Sequence, residues 1–252
     1  MNIVVCCKVV PDDQDIIAAS DGSLDYSKAK PTVSTYDLNA IEAAVQLAAT
    51  VDNSRVVAIS VGPASIDDSK LKKNILARGV DELLMIADDA LVNLDAFATS
   101  LALKTLVEQT DDWDLILCGD GSADLYAQQT DVQLASLLDA PYVSGTIKIA
   151  IKNDVVVAER LLENEVEIVE VPLPAVVSVS PDIALPRICG MKDILAAGKK
   201  PSSVASAAGA AEPTVEIVSE KAPEQADRKL DIYEATDEGA LEQFAAAIKA
   251  AL

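Results

Sequence analysis

Trp113-Asp114-Leu115-Ile116-Leu117-Cys118-Gly119-Asp120-Gly121-Ser122-Ala123-Asp124 runs from an apolar stretch straight into a glycine-containing loop. The apolar part, Trp113–Cys118, suits a strand buried on both faces, as in a parallel sheet. The loop suits a strand-to-helix turn, with a helix predicted over 124–138. Ser122 and Asp124 are residue types that cap helices.

The same grammar repeats on either side. Ile3–Val10 reads as a buried strand ended by Pro11-Asp12-Asp13. A helix is predicted over 36–50, with Leu38, Ile41, Val45 and Ala48 on one stripe. Arg55–Val61 is a second strand, stopped by Gly62-Pro63. Ser65 opens a helix with Asp67 and Asp68 in its first turn, Lys72, Lys73 and Arg78 late, and Gly79 at the C-terminal cap, a charge order that complements the helix dipole. Glu82–Ile86 is a third strand, and a helix from Asn93 or Asp95 to Glu108 precedes the fourth at Trp113. Strands alternating with helices predict a three-layer α/β fold with a mostly parallel, Rossmann-like sheet. After Pro141 the pattern changes. Val143–Ile151, Val155–Arg160 and Val166–Val171 are joined by short turns and read as an antiparallel extension, and Ala175–Ser180 returns to the main sheet. The nucleotide-binding α/β domain is expected over 1–200. Ser202–Ala211 reads as a Ser/Ala/Gly linker, within a linker and extended arm over 201–235. A docking helix over 236–252 carries Leu241, Phe244, Ala245, Ile248 and Leu252 on one stripe. This arm either docks on another molecule or packs back on its own domain.

Composition excludes several functions. The chain has 252 residues, of which 50% are hydrophobic and 3% aromatic, and a formal charge of −21. A nucleic acid would be repelled by most of this surface and would find few rings to stack on. There is no histidine, so Ser-His-Asp and Cys-His pairs and His-ligated zinc are excluded; no metal site is expected, and any general acid or base would have to be carboxylate, Lys, Tyr or Cys. Cys6, Cys7, Cys118 and Cys189 contain no CxxC pair. Cys6 and Cys7 on one strand point to opposite faces. Scattered cysteines suit a reducing compartment, and a cytoplasmic location is expected. No segment has the ~20 apolar residues of a membrane span.

In open α/β sheets ligands sit outside the carboxyl ends of the strands. The loops to inspect hold Cys7-Lys8-Val9, Val61-Gly62-Pro63 and Cys118-Gly119-Asp120-Gly121-Ser122. In the last, two glycines permit a sharp turn and close backbone approach. Amides at the next helix start, with Gln128, Gln129 and Thr130 nearby, can donate to a phosphate. A turn that needs glycine for geometry alone is the other reading. Asp120 and Asp124 read as caps, or as acceptors for a ribose or backbone amide, before they read as an acid–base pair. Lys8 contacts the pocket mouth or a partner, or is solvated.

Four segments together resemble the β subunit of electron transfer flavoproteins, most closely the Fix-type subunit. They are Val4-Val5-Cys6-Cys7-Lys8-Val9-Val10-Pro11-Asp12; Tyr36-Asp37-Leu38-Asn39-Ala40-Ile41-Glu42-Ala43-Ala44; Leu115 to Ser122 with Tyr126-Ala127-Gln128-Gln129-Thr130; and Leu173-Pro174-Ala175-Val176-Val177-Ser178-Val179, followed by Pro186-Arg187 and the stretch from Met191 to Lys200. They span residues 1–200 in the family's order. The resemblance implies a heterodimer with a larger α subunit, an adenine nucleotide cofactor in this chain (FAD, with AMP as the alternative), and electron shuttling or bifurcation between NADH or acyl-CoA-type dehydrogenases and redox partners such as ferredoxin or flavodoxin. It implies a nucleotide pocket built from Cys6, Cys7, Lys8, Ser34, Val61, Gly62, Gly119, Gly121, Ser122, Asp124, Gln128, Gln129 and Thr130, with Cys118 and Asp120 in the same loop. It also implies that Met191, rimmed by Lys192, Lys199 and Lys200, is the apolar anchor gripped by partner dehydrogenases. The chain departs from the family at Leu125-Tyr126, where the loop is usually more acidic, and at Leu161, where simple carriers have Glu. A nucleotide hydrolase of the ATP-pyrophosphatase kind and a stress-protein-like ATP-binding module are the rival readings. Such enzymes place their phosphate loop near the first strand, whereas this one follows a late strand.

Overall fold

The computed structural model describes residues 1–110, 112–207, 212–224 and 230–251. Its centre is a nine-stranded sheet. The strands are β1 (Asn2–Cys6), β2 (Arg55–Gly62), β3 (Glu82–Ala87), β4 (Leu115–Gly119), β5 (Tyr142–Lys152), β6 (Val155–Leu161), β7 (Val166–Pro172), β8 (Ala175–Val179) and β9 (Ser202–Ala205). They lie in the order β7-β6-β5-β8-β4-β1-β2-β3-β9. Pairing is parallel from β5 through β9, with Ile3 opposite both Val56 and Leu115, and antiparallel along β5-β6-β7. The α/β class and the antiparallel extension are therefore as the sequence implied.

The alternation of side chains along β1 divides the core. Ile3, Val5 and Cys7 face one apolar layer with Ile41, Ala44 and Leu117. Val4 and Cys6 face the other, with Ile59, Leu103, Leu106 and Leu134. Cys6 and Cys7 thus point to opposite sides, and all four cysteines are free. The helices α1 (Thr35–Ala48) and α2 (Ser69–Leu76) cover the first face, and α3 (Ala96–Val107) and α4 (Thr130–Leu137) the second. A short α5 (Met191–Ala197) follows β8, and α6 (Ala240–Ala251) ends the described chain.

Three expectations need correction. The first strand stops at Cys6. Val9–Pro11 leaves the sheet and pairs antiparallel with Pro31–Val33. The fourth helix starts at Thr130, not at 124. Tyr126 and Gln128 have φ of 45° and 55°, a left-handed conformation that a helix interior cannot contain. The stretch read as a linker contains β9, which pairs with β3 from Ser202–Leu83 to Ala205–Ile86. An edge strand is held by backbone hydrogen bonds on one side, so its largely exposed side chains carry no hydrophobic pattern. Residues 208–211 of that stretch, 225–229 of the arm and Leu252 of the last helix lie outside the described residues. None of the helices among the described residues is long and apolar enough to cross a membrane.

Candidate functional site

From β1 the chain moves outward through β2 and β3, then crosses to the other side of β1 to lay down β4. The order reverses between β1 and β4, and a crevice opens beyond their carboxyl ends. A cavity of about 440 Å³ lies there, within the ~300–1,000 Å³ of small-molecule sites.

Asp37 ties the two strand ends together. It sits in the first turn of α1 and its Oδ2 accepts the Lys8 N–H at 2.7 Å. It also accepts the Gly119 N–H. Only 6% of Asp37 is exposed. Burial pushes its carboxyl up to about 7 against the pull of these two N–H groups. Gly119 is a glycine because α1 passes so close: a Cβ there would stand 2.8 Å from Tyr36 Cβ and 2.9 Å from Asp37 Oδ1. Gly121 is a glycine because Tyr126 folds over it, at 2.2 Å from where a Cβ would be. Tyr126 also packs against the Tyr36 ring, tilted, with centroids 5.1 Å apart, and donates to Asp120 Oδ2 at 3.2 Å. Packing thus demands both glycines, and both still border the cavity.

Beyond Gly121 the loop is closed by a hydrogen bond from the Tyr126 N–H to the Ser122 carbonyl, 3.1 Å. Lys8 Nζ reaches across from β1 to pair with Asp124 at 2.6 Å and to donate to Ser122 Oγ at 3.5 Å. Burial would raise the Asp124 carboxyl, but the Lys8 and Ser122 hydrogen bonds outweigh it and hold it below its ordinary value. Asp124 is thus a partner for Lys8 and not a helix cap, and Lys8 is at the pocket mouth.

Of the residues singled out in the sequence, Cys6, Cys7, Lys8, Val61, Cys118, Gly119, Gly121, Ser122, Gln128, Gln129 and Thr130 border the cavity. Ser34, Gly62, Asp120 and Asp124 are not on its wall. Buried Ser34 Oγ accepts the Ala123 N–H at 3.3 Å and so fixes the loop to the start of α1. The Gly62 carbonyl accepts the Asp88 N–H. Asp120 Oδ1 is buried without a partner among the described residues. Cys6 and Cys118 lie side by side, and the hydrogen bond between them together with burial raises the Cys118 thiol.

The loop after β3 was missed from the sequence. Asn93, Leu94, Asp95, Ala96 and Thr99 supply one wall, with Leu103 further along α3 and Asp131 in the first turn of α4. Two helices of eight residues or more, α3 and α4, therefore begin at the cavity. Val215 and Ile217 of the C-terminal arm add an apolar wall that no local pattern announces.

The lining suits an anionic group beside an apolar one. Lys8 is the only Lys or Arg on the cavity wall among the described residues. With the starts of α3 and α4 it supplies the positive end that a phosphate needs. The carboxylates at the wall are already engaged: Asp131 by the Tyr142 hydroxyl at 2.6 Å, Asp95 by backbone N–H groups, and Asp37 by burial and two N–H donors. Val61, Leu94, Leu103, Val215 and Ile217 offer an apolar slot to a base.

Away from the cavity, Arg187 fastens the segment after β8 to α1. Its Nε and Nη2 meet the two Glu42 oxygens at 2.6 and 3.0 Å. This forked pairing leaves Leu185, Ile188 and Met191 exposed, Met191 by 76%. Lys200 does not rim Met191. It turns inward to the Leu76 and Val80 carbonyls at 2.9 and 2.6 Å, at the end of α2.

Residues 23–210 match the family model of the electron transfer flavoprotein domain. The match covers well over half of the chain and contains most of the cavity wall, so the chain belongs to the electron transfer flavoprotein domain family.

Proposed function

We propose that this chain is the β subunit of a heterodimeric electron transfer flavoprotein and that the cavity at the ends of β1 and β4 holds the adenylate part of an adenine nucleotide, FAD or AMP. The observation that carries the reading is the combination, in the wall of one cavity, of Lys8 and the starts of two helices with the apolar side chains of Val61, Leu94, Leu103, Val215 and Ile217. The phosphate would lie by Lys8 Nζ, Ser122 and the start of α4, and the base between Leu103 and Val215. A flavin held by the complex supplies the electron chemistry; the side chains here bind and position. Lys8 exchanges part of its contact with Asp124 for the phosphate. Asp37 keeps the two strand ends at a fixed separation.

The exposed run at Leu185, Ile188, Met191 and Leu195 is the surface offered to an acyl-CoA-type dehydrogenase or to a ferredoxin- or flavodoxin-like partner. The exposed stripe of Leu241, Phe244 and Ile248 on α6 is the surface offered to the α subunit. Four free cysteines suit the cytoplasm.

The test is to purify the chain together with its larger partner, record the absorption spectrum, and identify the nucleotide released on denaturation. A yellow complex releasing AMP or extra FAD from this chain supports the reading. Two flavins per heterodimer favour bifurcation and one favours a simple carrier. A colourless protein that binds or hydrolyses ATP would establish a rival reading instead.

A further inference from the structure

The C-terminal arm crosses the mouth of the cavity, and one side chain holds it there. Asp95 caps α3, its Oδ1 accepting the Ala98 N–H at 2.8 Å. Its other oxygen, Oδ2, faces the arm and accepts three more hydrogen bonds: the Thr214 N–H at 2.6 Å, the Thr214 hydroxyl at 2.8 Å and the Val215 N–H at 3.0 Å. Val215 and Ile217, next along the arm, line the cavity. The arm is pinned again farther on, where Tyr26 donates to Glu220 at 2.7 Å and the Ala222 N–H to the Gly22 carbonyl at 2.8 Å. Between these points little packing holds it, since Val215 and Ile217 are 66% and 59% exposed.

We infer that Asp95 is a positioning residue for cofactor binding, a latch that holds residues 214–217 across the cavity so that Val215 and Ile217 form the outer wall against the adenosine. This rests on the proposed adenylate site. Held there, residues 214–217 narrow the cavity on one side, and a ligand leaves more readily once the arm is released. The four hydrogen bonds reach one carboxylate, two oxygens serving two separate segments. The N–H of Ala98 together with the donors of Thr214 and Val215 hold that carboxyl down to about 2, against a smaller opposing effect of burial, so the latch is charged at any neutral pH. The same aspartate both starts the helix whose first turn lines the cavity and fixes the segment that closes it.

The test separates the latch from the helix cap. Asp95→Ser keeps a capping oxygen for α3 but is too short to serve the arm as well. Thr214→Pro removes the N–H and the hydroxyl on the arm without touching α3. The probe is AMP, loaded on the full chain with its partner subunit and chased by dilution. Both substitutions should speed AMP release about tenfold, the loss expected for charge-assisted hydrogen bonds at a partly exposed site. In nucleotide-free protein both should speed protease cleavage between residues 212 and 224 and move the thermal midpoint little. Unaltered release and cleavage in both variants, with wild-type protein loaded, overturns the latch and leaves the proposed function standing. Wild-type protein that takes up no adenine nucleotide overturns both.

Discussion

Asp37 and Asp95 do the same job in opposite surroundings. Each sits at the start of a helix and accepts backbone N–H groups from a second segment of chain. Asp37 is in the floor of the cavity and buried; its carboxyl is pushed up to about 7. Asp95 is at the rim, partly open to water, and its carboxyl is held down to about 2. The floor spends its interactions on fixing two strand ends. The rim spends them on holding a segment that narrows the cavity on one side. Burial decides between the two: a buried acceptor left without donors, or donors left without it, costs more than the same loss in water.

The largest effect expected is from Asp37→Ala. It leaves the buried N–H groups of Lys8 and Gly119 without an acceptor, and should lower stability by about 3 kcal/mol or more and abolish nucleotide retention, as urea unfolding will show. Asp95→Ser should move the unfolding midpoint little, and equal losses at the two positions would break the comparison.

Next come the two glycines of the floor. Gly119→Ala places a Cβ against Tyr36 Cβ and the Tyr36 backbone, which cannot yield. It should destabilise by about 2–3 kcal/mol. Gly121→Ala strikes only the Tyr126 ring. Its smaller loss should be recovered in the double variant Gly121→Ala, Tyr126→Ala, measured as a coupling energy. A loss at Gly121 that Tyr126→Ala fails to rescue would show that the glycine serves another purpose.

The pH dependence sharpens the contrast, because the signs are opposite. The folded Asp37 carboxyl titrates near 7 and the unfolded one near its ordinary ~4. The proton-linked part of its contribution to stability is therefore full below about pH 4, declines as pH rises, and is gone above about 7, while its bonds to the Lys8 and Gly119 N–H groups remain. The decline can reach roughly 4 kcal/mol at ~1.4 kcal/mol per pH unit. Asp37→Asn does not titrate, so its stability relative to wild type should rise over that interval. Asp95 runs the other way: its contribution is present above about pH 4 and lost as pH falls toward 2. Denaturant titrations of wild type, Asp37→Asn and Asp95→Ser at several pH values will read both slopes. A flat difference for Asp37→Asn between pH 4 and 8 would contradict the buried-carboxyl account.

Two substitutions should leave the fold almost untouched. Lys8→Met removes a partly exposed ion pair of little value to stability. It should weaken nucleotide binding about tenfold through the lost phosphate contact, measured by equilibrium dialysis. Met191→Ala should slow electron delivery to a dehydrogenase with flavin content unchanged. Lost flavin with unaltered delivery would remove Met191 from the docking surface.

Much of the floor was legible in the sequence, because its signals are local. Alternating strands and helices placed β1, β2, β3 and β4, and the strand order then fixed the crevice. The α4 start was misread because Ser122 and Asp124 are good caps in sequence, whereas in space Lys8, more than a hundred residues away, takes Asp124. Asp37 lay in a quoted segment, yet nothing local distinguishes it from an ordinary acidic residue in a helix's first turn; only burial does. The rim was illegible for a plainer reason. Asp95 read as a helix start and nothing more, and its arm partners lie about 120 residues further on. Val215 and Ile217 acquire a role only from the segment they cross. β9 escaped because an edge strand of Ser202-Ser203-Val204-Ala205 has backbone pairing and no apolar face.

The central claim is that this one cavity holds the adenine nucleotide. Thr99 lies on its wall, on α3, where a larger side chain fills the cavity without disturbing the sheet. Adenine nucleotide released per chain should be measured in wild type and in Thr99→Trp, with circular dichroism confirming that both are folded. The account predicts close to one equivalent in wild type and almost none in the variant. No nucleotide in wild type, or an undiminished equivalent in Thr99→Trp, would contradict it.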